Sequence, residues 1–227
     1  MLPPFLNSVA LRLLAVGLLM SAATATAHQE DGKGNHAAAS TSAAVATDVS
    51  TPGTRDALAY FTDTELLTQD GRKVRFYSDV LKDKVVLINV IYTSCKDACP
   101  LITRQLTEVR EKLGPRFGKE VYFISLTSDP ERDTPATLKK FAEKNDASHA
   151  GWTFLTGSKD NVNKILAKLG QLSQNVEEHS TLLIAGNVPA KRWNKIRPDA
   201  PVVAIAERLN LLATGAGMPA TSKAAGR

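Results

Sequence analysis

The sequence predicts an α/β layered domain, and three observations carry that prediction. Apolar runs of strand length, at 85–92, 121–126 and 153–155, alternate with segments whose apolar residues recur at helical spacing. Turn and cap signals such as Asp70-Gly71, Gly114-Pro115 and Thr134-Pro135 separate those runs. The chain's only two cysteines, Cys95 and Cys99, sit four apart between the first buried strand and the first long helix.

Taken in order, the folded domain is expected over residues 56–212. Asp70-Gly71 marks a turn, and 73–77 alternates like a half-exposed strand, which predicts a hairpin. Residues 85–92 form an uninterrupted apolar strand, buried on both faces. From Pro100 a helix follows, read from Leu101, Ile102, Leu106, Val109 and Leu113; Pro100 suits a first turn, where an N–H is not needed. A second buried strand spans 121–126. Thr134 caps a helix running to about Asn145. A short strand at 153–155 precedes a helix at 161–169, which places Val162, Ile165, Leu166 and Leu169 on one face. Residues 180–185 and 190–196 read as two strands about a Gly186-Asn187 turn, and 202–212 as a last helix. Trp152 and Trp193 read as packing residues.

This order, with cysteines at the first strand–helix junction, suggests a thioredoxin-like fold. Its central mixed sheet would be flanked by helices, with a β-hairpin after His179. No internal repeat is present.

The ends differ in composition. Residues 1–27 read as a secretory signal peptide: Arg12 is the only charge, an apolar run follows, and Ala25-Thr26-Ala27 supplies small residues for cleavage. The uncharged stretch from Leu13 is shorter than the roughly 20 residues of a membrane span, so the expected location is the periplasm. The alternative is an uncleaved anchor in the inner membrane, facing the periplasm. Residues 28–55, rich in Ala, Ser, Thr and Gly, read as a flexible linker, and 213–227 as a disordered tail. Removing 1–27 takes away Arg12 and no acid, so the net charge falls from +5 to +4. With no long basic block, nucleic acid is not expected as a partner, and a monomer is expected.

Two thiols at the end of a buried strand admit three readings. In an oxidising compartment the bland one is a structural disulfide, although the short loop it would close gives little entropic stabilisation. A redox pair is the second, and a soft-metal site the third. At the positive end of a helix a thiolate is stabilised, and Cys99 is the better placed of the two. A third ligand would come from a histidine, and His179, opening a strand-like run after a polar stretch, is the best candidate. His28 would be the mature N-terminus, His36 lies in the linker and His149 in a polar loop. Asp129 follows the second strand, on the side where sheet ends line a crevice. It could orient a ligand or dock a partner, or simply belong to a capped helix start.

Four stretches occur together: Lys84-Val85-Val86-Leu87; Tyr92-Thr93-Ser94-Cys95-Lys96-Asp97-Ala98-Cys99-Pro100; Ser128-Asp129-Pro130-Glu131-Arg132-Asp133-Thr134-Pro135; and Glu178-His179-Ser180-Thr181. In that order they resemble the Sco/SenC family, the copper chaperones of cytochrome oxidase assembly, from about Phe61 to Leu212. The resemblance implies a thioredoxin-like fold and a copper site, Cu(I) or Cu(II), formed by Cys95, Cys99 and His179. Asp97, Asp129 and Glu178 are candidates to orient those ligands or dock a partner. It implies delivery of copper to the CuA-bearing subunit of a terminal oxidase or a similar cuproprotein, or reduction of that site's cysteines. Other periplasmic copper carriers or thiol reductants would be further partners. The chain would be a metallochaperone rather than an enzyme, with thiol-disulfide reductase activity as the alternative. Two departures from the family pattern stand out: Lys96 replaces a usual proline, and 186–190 replaces an Asp-Gly turn.

Overall fold

The computed structural model describes residues 57–215. The stretches read as signal peptide (1–27) and linker (28–55) lie outside them, as do His28 and His36, and of the tail expected over 213–227 only 213–215 are described, Ala213 as the last residue of a helix. Among the described residues no helix is long and apolar enough to cross a membrane.

The chain runs α1 (Ala57–Phe61), β1 (Glu65–Thr68), β2 (Lys73–Arg75), β3 (Val85–Ile91), α2 (Ala98–Leu113), β4 (Val121–Thr127), α3 (Pro135–Lys144), β5 (Trp152–Thr156), α4 (Lys159–Leu169), β6 (Leu183–Asn187), β7 (Arg192–Ile196) and α5 (Val202–Ala213). Seven strands form one sheet in the order β2-β1-β5-β4-β3-β6-β7. β3, β4 and β5 are parallel, and the remaining pairs are antiparallel, so the sheet is mixed as expected.

β3 shows why the fold has two layers of helix. Its side chains alternate: Val85, Leu87 and Ile91 enter a core with α2, α3 and α5, while Val86, Ile88 and Val90 enter another with α4. Every residue of the strand is buried. Asn89 is the polar exception. Its Oδ1 accepts from Ser125 Oγ at 2.8 Å, and Ser125 Oγ in turn accepts from Trp152 Nε1 at 2.9 Å. Trp152 is therefore a core residue with its N–H satisfied.

The helix ends follow the expected chemistry. Thr134 Oγ1 accepts from Thr137 N–H at 3.2 Å, and Ser158 Oγ from Asn161 N–H at 3.3 Å. Gly170 ends α4 in the left-handed region at φ 66°.

Four local expectations are corrected. The strand predicted over 73–77 stops at Arg75, because Asp79 accepts Arg75's N–H at 2.7 Å and pairs with its guanidinium. The chain then winds into a π-helical turn over Phe76–Leu81. Leu101 is 63% exposed: the buried stripe runs through Leu106, Val109 and Leu113, with Ile102 half-buried, and Leu101 sits about 100° round the helix from it. The last hairpin does not turn at Gly186-Asn187. Both belong to β6, and the turn is 188–191, with Lys191 at φ 53°. Gly186 lies under the Trp193 ring, where a Cβ would come within 2.4 Å of ring atoms. It is a close-approach glycine rather than a turn glycine.

β6 also starts later than expected. Ser180 Oγ accepts the N–H of Leu182, and Gln171 Nε2 donates to the Leu182 carbonyl, so side chains replace strand pairing there. β6 pairs with β3 only from Val85 to Ile88. The last three residues of β3 run on beyond it, and just past them Tyr92 meets the ring of His179.

Candidate metal centre

β3 ends at Ile91, whose carbonyl accepts Ser128 N–H at 2.8 Å. The next residues are held by one buried acid. Asp133 accepts Thr93 N–H at 3.1 Å and the hydroxyls of Thr93 and Thr127. Burial pushes the Asp133 carboxyl up, and those donors from Thr127 and Thr93 oppose the push. The loop that carries the cysteines is thus tied to the end of β4. Asp133 stands in the quoted motif, but only the structure reveals this role.

Cys95 N–H then donates to the Tyr92 carbonyl at 3.2 Å, closing a tight turn, and α2 begins at Ala98. Both cysteines are free; Cys99 is buried and Cys95 half-buried. Cys99 N–H donates to Cys95 Sγ at 3.3 Å, so the first sulfur sits on the N-terminus of α2.

This reverses the expected order of acidity. Burial pushes the Cys95 thiol up, but hydrogen bonds from Cys99, from the Asp97 backbone and from the Tyr92 hydroxyl outweigh it, and the net shift is downward. Cys99 lies inside the helix but points into the core. Burial pushes it up to about 12, with a backbone hydrogen bond from Tyr92 only partly opposing. The helix terminus favours the cysteine outside it, whose sulfur can face the free N–H groups.

His179 is buried at 7% exposure. Its Nδ1 lies 3.1 Å from the Ser180 carbonyl oxygen. A carbonyl can only accept, so Nδ1 carries the proton and Nε2 keeps its lone pair. Burial lowers the imidazole's pKa, opposed by the Ser180 bond, and holds the ring neutral at neutral pH. A neutral imidazole oriented through its other nitrogen is the state that a metal ligand needs.

Tyr92 joins the histidine to the thiols. Its ring meets the His179 ring edge-on, at 5.6 Å between centroids and 90°. Its hydroxyl bonds Cys95, and burial and that sulfur raise its own pKa to about 12. Among the described residues no three His, Cys, Asp or Glu side chains are close enough together to hold a metal ion. Two thiols are brought together, and His179 reaches them through Tyr92.

The other candidates fall out differently. Asp97 occupies the N-cap of α2, but its exposed side chain makes no capping bond. Asp129 is buried and pairs with Arg132 at 3.3 Å. Glu178 is exposed and accepts from Asn175 at 2.9 Å; the charge that Tyr92 feels is that of Glu177. His149 contacts Arg110, near the C-terminal end of α2, and Asp146, and takes no part in the site.

Residues 53–185, a span that includes both cysteines and His179, match the family model described as SCO1/SenC. The SCO1 protein homolog of Bacillus subtilis is 42% identical over 89 residues, covering 39% of this chain and 45% of that protein. An SCO2-like protein of Rickettsia conorii is 34% identical over 106 residues, covering 47% of this chain and 49% of its own length. The chain spans about half the length of the curated relatives it matches. Among solved structures, ScoI of Bradyrhizobium japonicum with copper bound superposes with a TM-score of 0.54 at 26% identity, covering 65% of this chain and 95% of that one. BsSco, described as a member of the Sco family of cytochrome c oxidase assembly proteins with a disulfide switch, gives 0.57 at 28% identity, covering 66% and 91%. The mixed sheet, the thiol pair at the end of β3 and the match over 53–185 all agree: this chain belongs to the SCO1/SenC family.

Proposed function

We propose that this protein is an exported copper chaperone that works in the periplasm and passes copper to the CuA-bearing subunit of a terminal oxidase. The observation that carries the reading is the free Cys95–Cys99 pair, with the Cys95 sulfur on the N-terminus of α2 and a neutral, oriented His179 beside Tyr92. Copper is the cargo. Two thiolates satisfy Cu(I), and imidazole nitrogen extends the set toward Cu(II). Cys95, the more acidic and accessible thiol, takes the ion first, and Cys99 follows, its proton released to solvent as its sulfur binds the metal. His179 completes the set when its segment closes on the thiols, displacing Tyr92 from Cys95. The copper-bound ScoI relative supports this reading.

The test is an anaerobic copper titration of the wild-type domain and of Cys95→Ser, Cys99→Ser and His179→Ala. A stoichiometric complex lost in both serine variants supports the reading. Copper uptake that ignores the cysteines would overturn it.

A second reading draws on the asymmetry between the thiols. An accessible, acidified thiol beside a buried, protonated one suits a reductase. The Cys95 thiolate would attack a partner disulfide and release one partner thiolate. Cys99 would then attack Cys95, releasing the second, so two electrons pass from this dithiol to the partner. Turnover of a disulfide substrate without metal distinguishes this reading from the first.

A further inference from the structure

A groove with a volume of about 430 Å³ opens beside Cys95 and runs between α2 and α3. Four cations line it: Lys96 from the cysteine loop, Arg104 from α2, and Lys140 and Lys144 from α3. Phe141 contributes an apolar surface, and no acidic side chain is among the lining residues.

Some exposed cations elsewhere are paired: Lys73 with Glu65 at 3.0 Å, Lys139 with Asp70 at 3.0 Å, Lys159 with Glu131 at 3.3 Å. The groove differs in gathering four cations around one concavity with no acid in its lining. None of the four groove cations makes an ion pair with a described residue, and all four are exposed. Unpaired like charges around one concavity repel one another, which is a cost unless an anion relieves it. Lys96 follows Cys95 directly in the chain and lines the groove beside it.

The spacing selects the kind of anion. Lys140 and Lys144 are one helical turn apart, about 6 Å between Cβ atoms. Alternate side chains of an extended peptide repeat at about 6.6 Å. A chain carrying an acid at every second residue therefore meets successive cations along α3, with Arg104 facing it from α2. A small free anion would need its donors to converge, whereas these are strung along two helices. A bilayer is planar and would meet the rims of the groove rather than its floor.

We infer that this groove docks an extended acidic segment of the protein that exchanges copper with Cys95. The inference rests on the chaperone reading and adds the partner's recognition chemistry: the docked segment brings its metal-binding group to the end of the groove that Cys95 occupies. Electrostatic docking of this kind speeds encounter and fixes orientation, and it weakens as salt rises.

The probe is a short fluorescein-labelled peptide of alternating glutamate and glycine, followed by fluorescence anisotropy. The wild-type domain should bind it, and should ignore the same peptide with glutamine in place of glutamate. Lys140→Glu with Lys144→Glu should weaken binding by about tenfold or more, Arg104→Gln by less, and Lys159→Glu, outside the groove, hardly at all. All these side chains are exposed, so matching thermal unfolding curves should show that every variant is folded. Equal binding by wild type and the doubly reversed variant, or no binding by wild type, would overturn the inference. So would groove-dependent capture by phosphatidylglycerol vesicles with no affinity for the peptide. Copper titration of the same samples separates the two claims. Normal copper uptake without peptide binding removes the groove and leaves the chaperone. Groove-dependent peptide binding in a chain that takes up no copper supports the acidic-segment site and removes the chaperone reading.

Discussion

The backbone N–H of Cys99 points at the sulfur of Cys95, 3.3 Å away. One cysteine therefore solvates the other's thiolate, and the two sulfurs cannot be equivalent. Hydrogen bonds draw the Cys95 pKa down from its ordinary value, while Cys99 is pushed up to about 12 by burial. Reaction order in the metal-free dithiol follows from that difference.

Iodoacetamide should label Cys95 first and nearly alone near neutral pH. In Cys99→Ser the labelling rate should rise with pH below the usual thiol pKa of 9.0. In Cys95→Ser the remaining thiol should stay slow until strongly alkaline pH. Peptide mapping by mass spectrometry reads the order directly. Equal labelling of both cysteines in the folded chain would contradict the geometry.

Gly186 and Trp193 make a second prediction. A Cβ at 186 would lie 2.4 Å from the Trp193 ring, which itself packs against Phe61 at 5.4 Å. Gly186→Ala should destabilise the fold by about 1–3 kcal/mol, the usual cost of overpacking. Trp193→Ala in the same chain should remove most of that increment, because the two effects share one contact. Urea unfolding of the four chains of this cycle measures it. Strict additivity would mean that the ring does not sit over the glycine.

These two cases show where sequence reading succeeds and where it stops. β3, α2, β4 and α4 were legible because long apolar runs or strict helical spacing leave one choice of face. The thioredoxin-like order followed from them, and the Cys95–Cys99 pair with it. Gly186 reads as a turn because a glycine followed by asparagine is a common turn signal; its real role depends on a ring from the next strand. The acidity of the thiols depends on which way α2 is phased where it begins at Ala98, a choice that residue spacing alone does not reveal. Asp133 and Tyr92 organise the site through contacts across 40 and 87 positions with Thr93 and His179, and no local pattern marks them.

Asp133 predicts a reversed pH dependence. Burial raises its folded-state pKa above the ordinary 3.8. The folded state thus holds the proton more tightly than the unfolded one, so this group's contribution is fully present below about 3.8 and is lost as pH rises through the raised value. Asp133→Asn cannot titrate and should lack that loss. Stability of wild type relative to the variant should fall as pH is raised through this window, measured by urea unfolding at a series of pH values. A difference that is flat with pH, or that rises, would show that Asp133 titrates as an ordinary or a stabilised carboxylate.

His179 gives the last prediction. In the metal-free state its Nδ1–H is held by the Ser180 carbonyl and its ring by Tyr92. Replacing it with alanine removes a neutral nitrogen donor but leaves both thiols. Cu(I), content with two thiolates, should still bind, with reduced affinity. Cu(II), which prefers nitrogen donors and more of them, should lose its complex or change its optical and EPR spectra. His149→Ala should alter neither, since that ring lies with Arg110 and Asp146. Tyr92→Phe separates ligation from packing. It keeps the ring contact with His179 and deletes only the hydroxyl bonded to Cys95, so Cu(II) binding should survive it. If His179→Ala lowers the melting temperature and leaves both copper complexes unchanged, the histidine is a packing residue of its segment, and the site is a two-thiolate one.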